Sequence, residues 1–328
     1  MKPDDRDICE IAKAFGINFC HVTGFYDTSR GDSDMRLNYV LDDRYVLKIN
    51  SACGMWEARL QEINRLISRY RAIGVYCPAL LPAADGGFSV EWNGHTCFVE
   101  EFARYPVLGE DGDIDRCEVI GHLGMLAAGY SGDDISEIRS MWSIIDLAPL
   151  DTDVDEKQEN ADILVSVLRD NGFEELAGKV QEFNRSMRSR IIEVFSELPR
   201  CVYQGDLNDS NILHDNGHFA GLIDFNMAGT DVNINVFLNE TAWFPEEDEF
   251  DSMSVGGIID RMEQEQTGLM DVILRHYSLS CAEEYALPCY KRIIRMFQYP
   301  NVSAMRKWLN DADRRDKCAE LICELMRT

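Results

Sequence analysis

Nowhere in the 328 residues does an apolar run reach the roughly 18 residues that a membrane-spanning helix requires. Basic residues are scarce. Lys and Arg number 32 against 58 Asp and Glu, for a formal charge of −26. A chain so acidic repels nucleic acid and anionic membrane surfaces, and no nucleic-acid or membrane partner is expected. The opening stretch "MKPDDRDICEIAKAF" has no apolar core of the kind a secretory signal carries. The 11 cysteines contain no C-x-x-C pair, which argues against a disulfide framework or a zinc site and for a reducing, cytoplasmic setting. The six histidines are scattered; His122 reads as a satisfied core residue, and His214 and His218 as exposed neighbours across a turn. Also missing are internal repeats, low-complexity linkers and a G-x-G-x-x-G phosphate loop.

What is present divides into two parts. After a short N-terminal helix, "NFCHVTGFY", "MRLNYVL" and "RYVLKIN" are strand candidates, the last two joined by a turn at Asp42-Asp43. "MWEARLQEINRLISRYRAIG" carries apolar residues at 56, 60, 63, 67 and 70, a helical spacing. "CPALLP" and "GFSVEWNGHTCFVEEFA" add further strands, with Asn93-Gly94 as a hairpin signal. Residues 1–102 therefore read as a small antiparallel α+β lobe. From 103 to 328 the pattern is mainly helical, beginning with "EVIGHLGMLAAGY" and continuing through "NADILVSVLRDNG" and "ELAGKVQEFNRSMRSRIIEVFSEL". A cleft between the two parts is the expected ligand site.

One β-rich interruption in the second part carries the chemistry: "VYQGDLNDSNILHDNGHFAGLIDFNMAG", Val202–Gly229. Asn216-Gly217 is a strong two-residue turn signal, so "NIL" and "FAGLI" read as a hairpin. Its two ends must meet, which makes Asn211 and Asp224 neighbours. Asp206 lies five residues before Asn211 in the preceding loop. Two carboxylates and an amide oxygen suit magnesium, which takes one or two carboxylates with water and substrate phosphates. The order D-x-x-x-x-N followed by a later Asp matches the phosphoryl-transfer template, in which the first Asp accepts the acceptor's proton and the other two residues hold the metal. Taken singly, each element also fits a solvated polar hairpin.

On "QGDLNDSNIL" and "GLIDF" the chain resembles the aminoglycoside phosphotransferase and choline kinase family. The resemblance implies a two-lobe protein-kinase-like fold, ATP and Mg2+ as cofactors, and a small-molecule hydroxyl as acceptor. It implies Asp206 as catalytic base and Asn211 and Asp224 as metal ligands. It also implies that Lys48, in the apolar run "YVLKI", meets the nucleotide phosphates. A lysine there is costly without a partner, although one on an edge strand could face solvent. Its carboxylate partner is expected from the following helix. Glu57 and Glu62 flank the apolar stripe on opposite sides, so periodicity does not choose, and the family's spacing favours Glu62. "CFVEEFA" resembles the segment that holds adenine by its backbone, near Glu100 and Phe102. "DTSRGDSD" covers the phosphates in this reading, with Arg30 as a phosphate contact.

Two positions depart from the family pattern: Gln204 stands where it has His, and Asn235 where it has the Asp of D-L-A. These changes motivate an alternative, a nucleotide-binding pseudokinase acting as scaffold or sensor. A protein kinase is disfavoured by the missing glycine-rich loop and A-P-E segment. The acidic runs at 151–162 and 245–251 read either as solvated surface or as walls that attract a cationic acceptor, such as an aminoglycoside or amino alcohol.

Overall fold

The computed structural model describes residues 2–31, 34–51, 55–109, 112–146 and 155–327. Helix α1 (Asp5–Ala14) is followed by strands β1 (Val22–Asp27), β2 (Arg36–Leu41) and β3 (Tyr45–Ser51). Helix α2 (Glu57–Ala72) precedes strands β4 (Val90–Trp92) and β5 (His95–Glu101). Helices α3 (Arg116–Tyr130), α4 (Glu156–Asp170) and α5 (Glu174–Val194) lead to strand β6 (Arg200–Tyr203). Strands β7 (Ile212–Asp215), β8 (His218–Leu222) and β9 (Gly229–Val232) come next. The chain then runs through α6 (Asn233–Glu240), α7 (Glu247–Ser252), α8 (Val255–Leu274), α9 (Cys281–Phe297), α10 (Tyr299–Leu309) and α11 (Arg315–Leu325).

These elements form two compact units, 1–115 with 206–228 and 116–205 with 229–328. The division is not a single cut after residue 102. Segment 103–115 and the β7–β8 hairpin pack with the first unit, and backbone pairing explains why. Val107 bridges to Leu213 and Tyr76 to Gly221. Leu222 N donates to Tyr76 O at 2.9 Å and Leu108 N to Ile212 O at 2.8 Å. Gly221 is required for this approach, because a Cβ there would lie 2.0 Å from the Tyr76 carbonyl oxygen.

In the first unit an antiparallel sheet has the order β1-β2-β3-β5-β4. The turns the sequence marks are at Asp42-Asp43 and Asn93-Gly94 in this sheet and at Asn216-Gly217 in the separate β7–β8 sheet, and all three have positive φ at both residues, the conformation tight hairpin turns favour. The "CPALLP" run, expected as a strand, contributes an isolated bridge from Leu80 to Glu100. Strand alternation then sorts the side chains by face. Leu37, Tyr39, Leu41, Leu47, Ile49, Cys97 and Val99 form one core with Ile8, Ile11, Ala12 and Phe15 from the α1 end. The residues between them in sequence, including Lys48 and Glu100, point to the other face.

The second unit is built on its helices and the short β6–β9 ladder. Asp155 caps α4 and is gripped by both terminal nitrogens of Arg188, at 2.6 and 2.7 Å. The acidic run before α8 is engaged within this unit. Glu247 pairs with Lys307 and Arg314, Asp251 with Arg314, and Glu249 with Arg261. Phe250 is buried against Trp308, their rings 3.8 Å apart. The run thus fastens α7 to α8, α10 and α11, and its paired acids are not a free wall for a cation. In the earlier run, 151–154 lies outside the described residues, and Asp155 and Glu156 are bonded as the cap and to Lys157.

Asp231 is fully buried at the end of β9, where Asn235 Nδ2 donates to its two carboxylate oxygens at 3.0 and 2.9 Å. Burial pushes its pKa up to about 6 against the opposing pull of the Asn235, Val232 and Ser140 hydrogen bonds. The folded state therefore binds this proton more tightly than the unfolded chain, whose Asp titrates near 3.8. The resulting stabilisation is complete below about pH 4 and is lost as pH rises through about 6. Thermal melts of the wild type and Asp231→Asn across that window should show the wild type losing stability relative to the permanently neutral variant. Parallel curves would remove Asp231 as the titrating group.

Candidate active site

The hairpin and its flanking loop assemble the polar site within the first unit. The backbone of Ile223 donates to Asn211 O at 3.0 Å, one step beyond the Ile212–Leu222 pair of the β7–β8 ladder. Asn211 and Asp224 are thereby brought together, as the turn signal requires. Asn211 Nδ2 donates to the Asp206 carbonyl and to Asp206 Oδ2, both at 3.0 Å. Asn208 Nδ2 holds the other carboxylate oxygen at 2.8 Å. Each Asp206 oxygen thus receives one amide donor, which fixes the carboxylate's plane. With its nitrogen turned to Asp206, the Asn211 amide has its oxygen as the acceptor end, the atom type a hard cation would take.

Asp224 has φ +56°, a conformation that Asp adopts more readily than most residues but still at some strain. Its Oδ1 accepts from Asn226 N at 3.2 Å, a local turn that supports the unusual backbone. Phe225 packs edge-on to Tyr70 of α2, with ring centroids 5.6 Å apart.

Lys48 meets a different carboxylate from the one expected. Its Nζ lies 2.7 Å from Glu100 Oε1, and the two side chains are only 12% and 16% exposed. The β3–β5 register sets Lys48 opposite Phe98 and Val46 opposite Glu100, so the pair is a diagonal one on a single face, within reach of long side chains. Burial alone would pull the Lys48 pKa down. The charges of Glu100 and Asp224, with the Glu100 hydrogen bond, outweigh it, and the net shift is upward from the ordinary lysine value. Lys48, Glu100 and Asp224 therefore share one electrostatic environment.

Glu62, expected to make that pair, is 3.6 Å from Arg59, one turn away on the same helix. Glu57 accepts from Phe88 N and Ser89 Oγ and ties down the turn before β4. Glu100 enters the site by its side chain and not, as expected, by its backbone. That backbone lies inside the sheet, paired with Val46 on one side and bridged to Leu80 on the other. Phe102 is half-exposed just beyond β5, and its N–H donates to Arg44 O at 2.8 Å. Arg30 sits in the β1–β2 connection, its amide donating to Asp34 O at 3.0 Å; Asp32 and Ser33 of that loop lie outside the described residues. In the second unit Gln204 is buried, and Asn235 engages Asp231 instead of bringing a charge of its own.

Sequence reasoning missed Arg59. Only 1% exposed, it donates to the Ala228 carbonyl and so links α2 to the segment after Asp224. The signal was available: Arg59 falls on the helix's buried stripe with Ile63, Leu66 and Tyr70, where a cation needs a partner.

The donor set fits magnesium. Among the described residues no three His, Cys, Asp or Glu side chains cluster to cage a metal. Asp224 and the Asn211 amide would supply a minority of ligands and leave the rest to phosphate and water, as Mg2+ prefers.

The model of the phosphotransferase enzyme family (APH) matches residues 30–232. Among solved structures, the chain resembles a spectinomycin phosphotransferase in complex with ADP and spectinomycin, at 10% identity and TM-score 0.52, covering 99% of this chain and 98% of that one. It also resembles an amicoumacin kinase in complex with AMP-PNP and Ca2+, at 13% identity and TM-score 0.52, covering 99% and 94%. At such identities the likeness establishes a kinase-like fold. No curated protein sequence matches.

Removing Glu100 strands a largely buried ammonium. Glu100→Gln should therefore lower unfolding free energy by about 3 kcal/mol, the lower end for a broken buried pair because both groups keep some solvent. Glu62→Gln should lower it by less than half as much. Denaturant titration of the two variants tests this ordering; equal losses would contradict the pairing described.

Proposed function

We propose that this chain, which belongs to the phosphotransferase enzyme family, moves the γ-phosphate of ATP to a hydroxyl group of a small molecule. The observation that carries the proposal is the assembly of Asp206, Asn211 and Asp224 around one hairpin, with the Lys48 cation in the electrostatic field of Asp224. In this reading Asp206 accepts the acceptor's hydroxyl proton as that oxygen attacks the γ-phosphorus and the bond to the ADP oxygen breaks. The fixed carboxylate plane orients the base, and orientation is the main contribution a protein makes to phosphoryl transfer. Lys48 neutralises phosphate charge, with Glu100 holding its ammonium in place. Asn211 and Asp224 would hold Mg2+, which when bound offsets the charge of the phosphate oxygens. Arg30 and Phe102 are the proposed contacts for phosphate and adenine. Glu62 pairs with Arg59 on its own helix, and Glu100 takes the place beside Lys48.

The two relatives above are named for spectinomycin and amicoumacin. The charge of −26 favours a cationic acceptor, an aminoglycoside or amino alcohol, by long-range attraction. The α7 acids lend it no support, since they are paired within their own unit. ADP release with Mg-ATP against panels of antibiotics, amino alcohols, sugars and nucleosides tests the activity directly.

Two variants test the roles. Asp206→Asn preserves shape and an acceptor oxygen, so it should fold and bind nucleotide normally while turnover falls by about a hundredfold or more; undiminished turnover would remove Asp206 as the base. Asp224→Ala should lose the extra thermal stabilisation that Mg2+ adds to ATP, because a carboxylate links metal to phosphates. Equal Mg-ATP shifts in both proteins would refute that assignment.

A further inference from the structure

The residue before the proposed base is Gly205, at φ +85°. A glycine sets neither of its own torsions, so its orientation must be imposed from outside. The peptide that follows is planar. Whatever holds the Gly205 carbonyl therefore holds the plane carrying the Asp206 nitrogen. Trp142 Nε1 donates to that carbonyl at 2.7 Å.

Trp142 is in turn held from several sides within the second unit. Its carbonyl accepts from Asn235 Nδ2 at 2.9 Å, and its amide donates to Ser140 Oγ at 3.1 Å. The fully buried Lys157 places its ammonium 5.5 Å from the centre of the indole ring. Asn235 is itself fixed by its two bonds to Asp231. An indole N–H can only donate, and no rotation exchanges it for an acceptor. The chain of contacts ends on the backbone oxygen of one glycine.

We infer that Trp142 is a positioning residue for the phosphoryl-transfer reaction, its indole N–H setting the peptide plane that leads into Asp206 and Asn235 setting Trp142. The inference rests on the reading of Asp206 as the base. It also accounts for the neutral residue at 235, since an amide can donate to the Trp142 carbonyl and a carboxylate cannot.

Two readouts on Trp142→Phe test it, one of which needs no catalysis. Amide hydrogen exchange at 205–208 should quicken by about tenfold or more, with exchange elsewhere in 116–204 and 229–327 unchanged. Turnover should fall by about ten- to a hundredfold, the scale of a small misplacement, with KM for ATP within about twofold. Where Trp142→Phe does not fold, benzothienylalanine at 142, which replaces the N–H by sulfur at nearly constant shape, should give the same two results. Unchanged exchange at 205–208, or exchange raised evenly through the unit, would overturn the inference and leave Trp142 as packing. Turnover equal to wild type would overturn it as well. A wild type that turns over no acceptor would instead defeat the phosphotransferase reading, and the exchange result would still decide whether Trp142 holds the loop.

Discussion

The hydrogen bond from Ile223 N to Asn211 O is the constraint on which the polar site depends. It extends the β7–β8 ladder by one step and stops residues twelve apart in sequence from drifting independently. Asn211 then reaches back to Asp206, and Asp224 leaves the far end of the ladder in its left-handed conformation. The hairpin itself is seated by backbone pairing with Pro106–Leu108 and with Tyr76, the latter an approach that only a glycine at 221 permits. Asn211 and Asp224 are thus placed by a main-chain bond, which depends little on side-chain identity, and Asp206 is held in turn by the side-chain amides of Asn208 and Asn211.

Electrostatics organises the other half of the site. A buried ammonium and a buried guanidinium stand in the first unit, and each has its own partner: Glu100 for Lys48, and Ala228 O with Glu62 for Arg59. The sheet satisfies its lysine from the neighbouring strand, so α2 is not tied to the sheet through that lysine. It is tied to the segment after Asp224, by Arg59 and by the Tyr70–Phe225 contact.

Much of this was legible in the sequence because it rests on local rules. Turn chemistry located the hairpins, the cost of a lysine inside the apolar run "YVLKI" and the family resemblance singled out Lys48, and loop spacing placed Asp206, Asn211 and Asp224 near one another. Partner choice was not legible. Glu57, Glu62 and Glu100 are equally acidic on paper, and only strand register sets Glu100 diagonal to Lys48. The acidic run at 245–251 misled for the same reason: its cations, Arg261, Lys307 and Arg314, lie 12 to 67 residues away in sequence. The pairing of the β7–β8 hairpin with the first unit was not legible, because bridges such as Tyr76–Gly221 leave no local pattern. Trp142 gave no signal either, since its contact with Gly205 spans 63 residues.

The Lys48–Glu100 pair also limits how this sequence can change over generations. Losing either member alone strands a charge in the protein interior, whereas replacing both by apolar residues of similar volume can be nearly neutral. Stability would allow the pair to disappear in a coordinated double step. If phosphate recognition holds Lys48 in place, that route is closed, and Glu100 inherits the restriction. A residue with no chemistry of its own to perform then becomes as resistant to drift as the one it accompanies, and the pair should be retained together or lost only with activity.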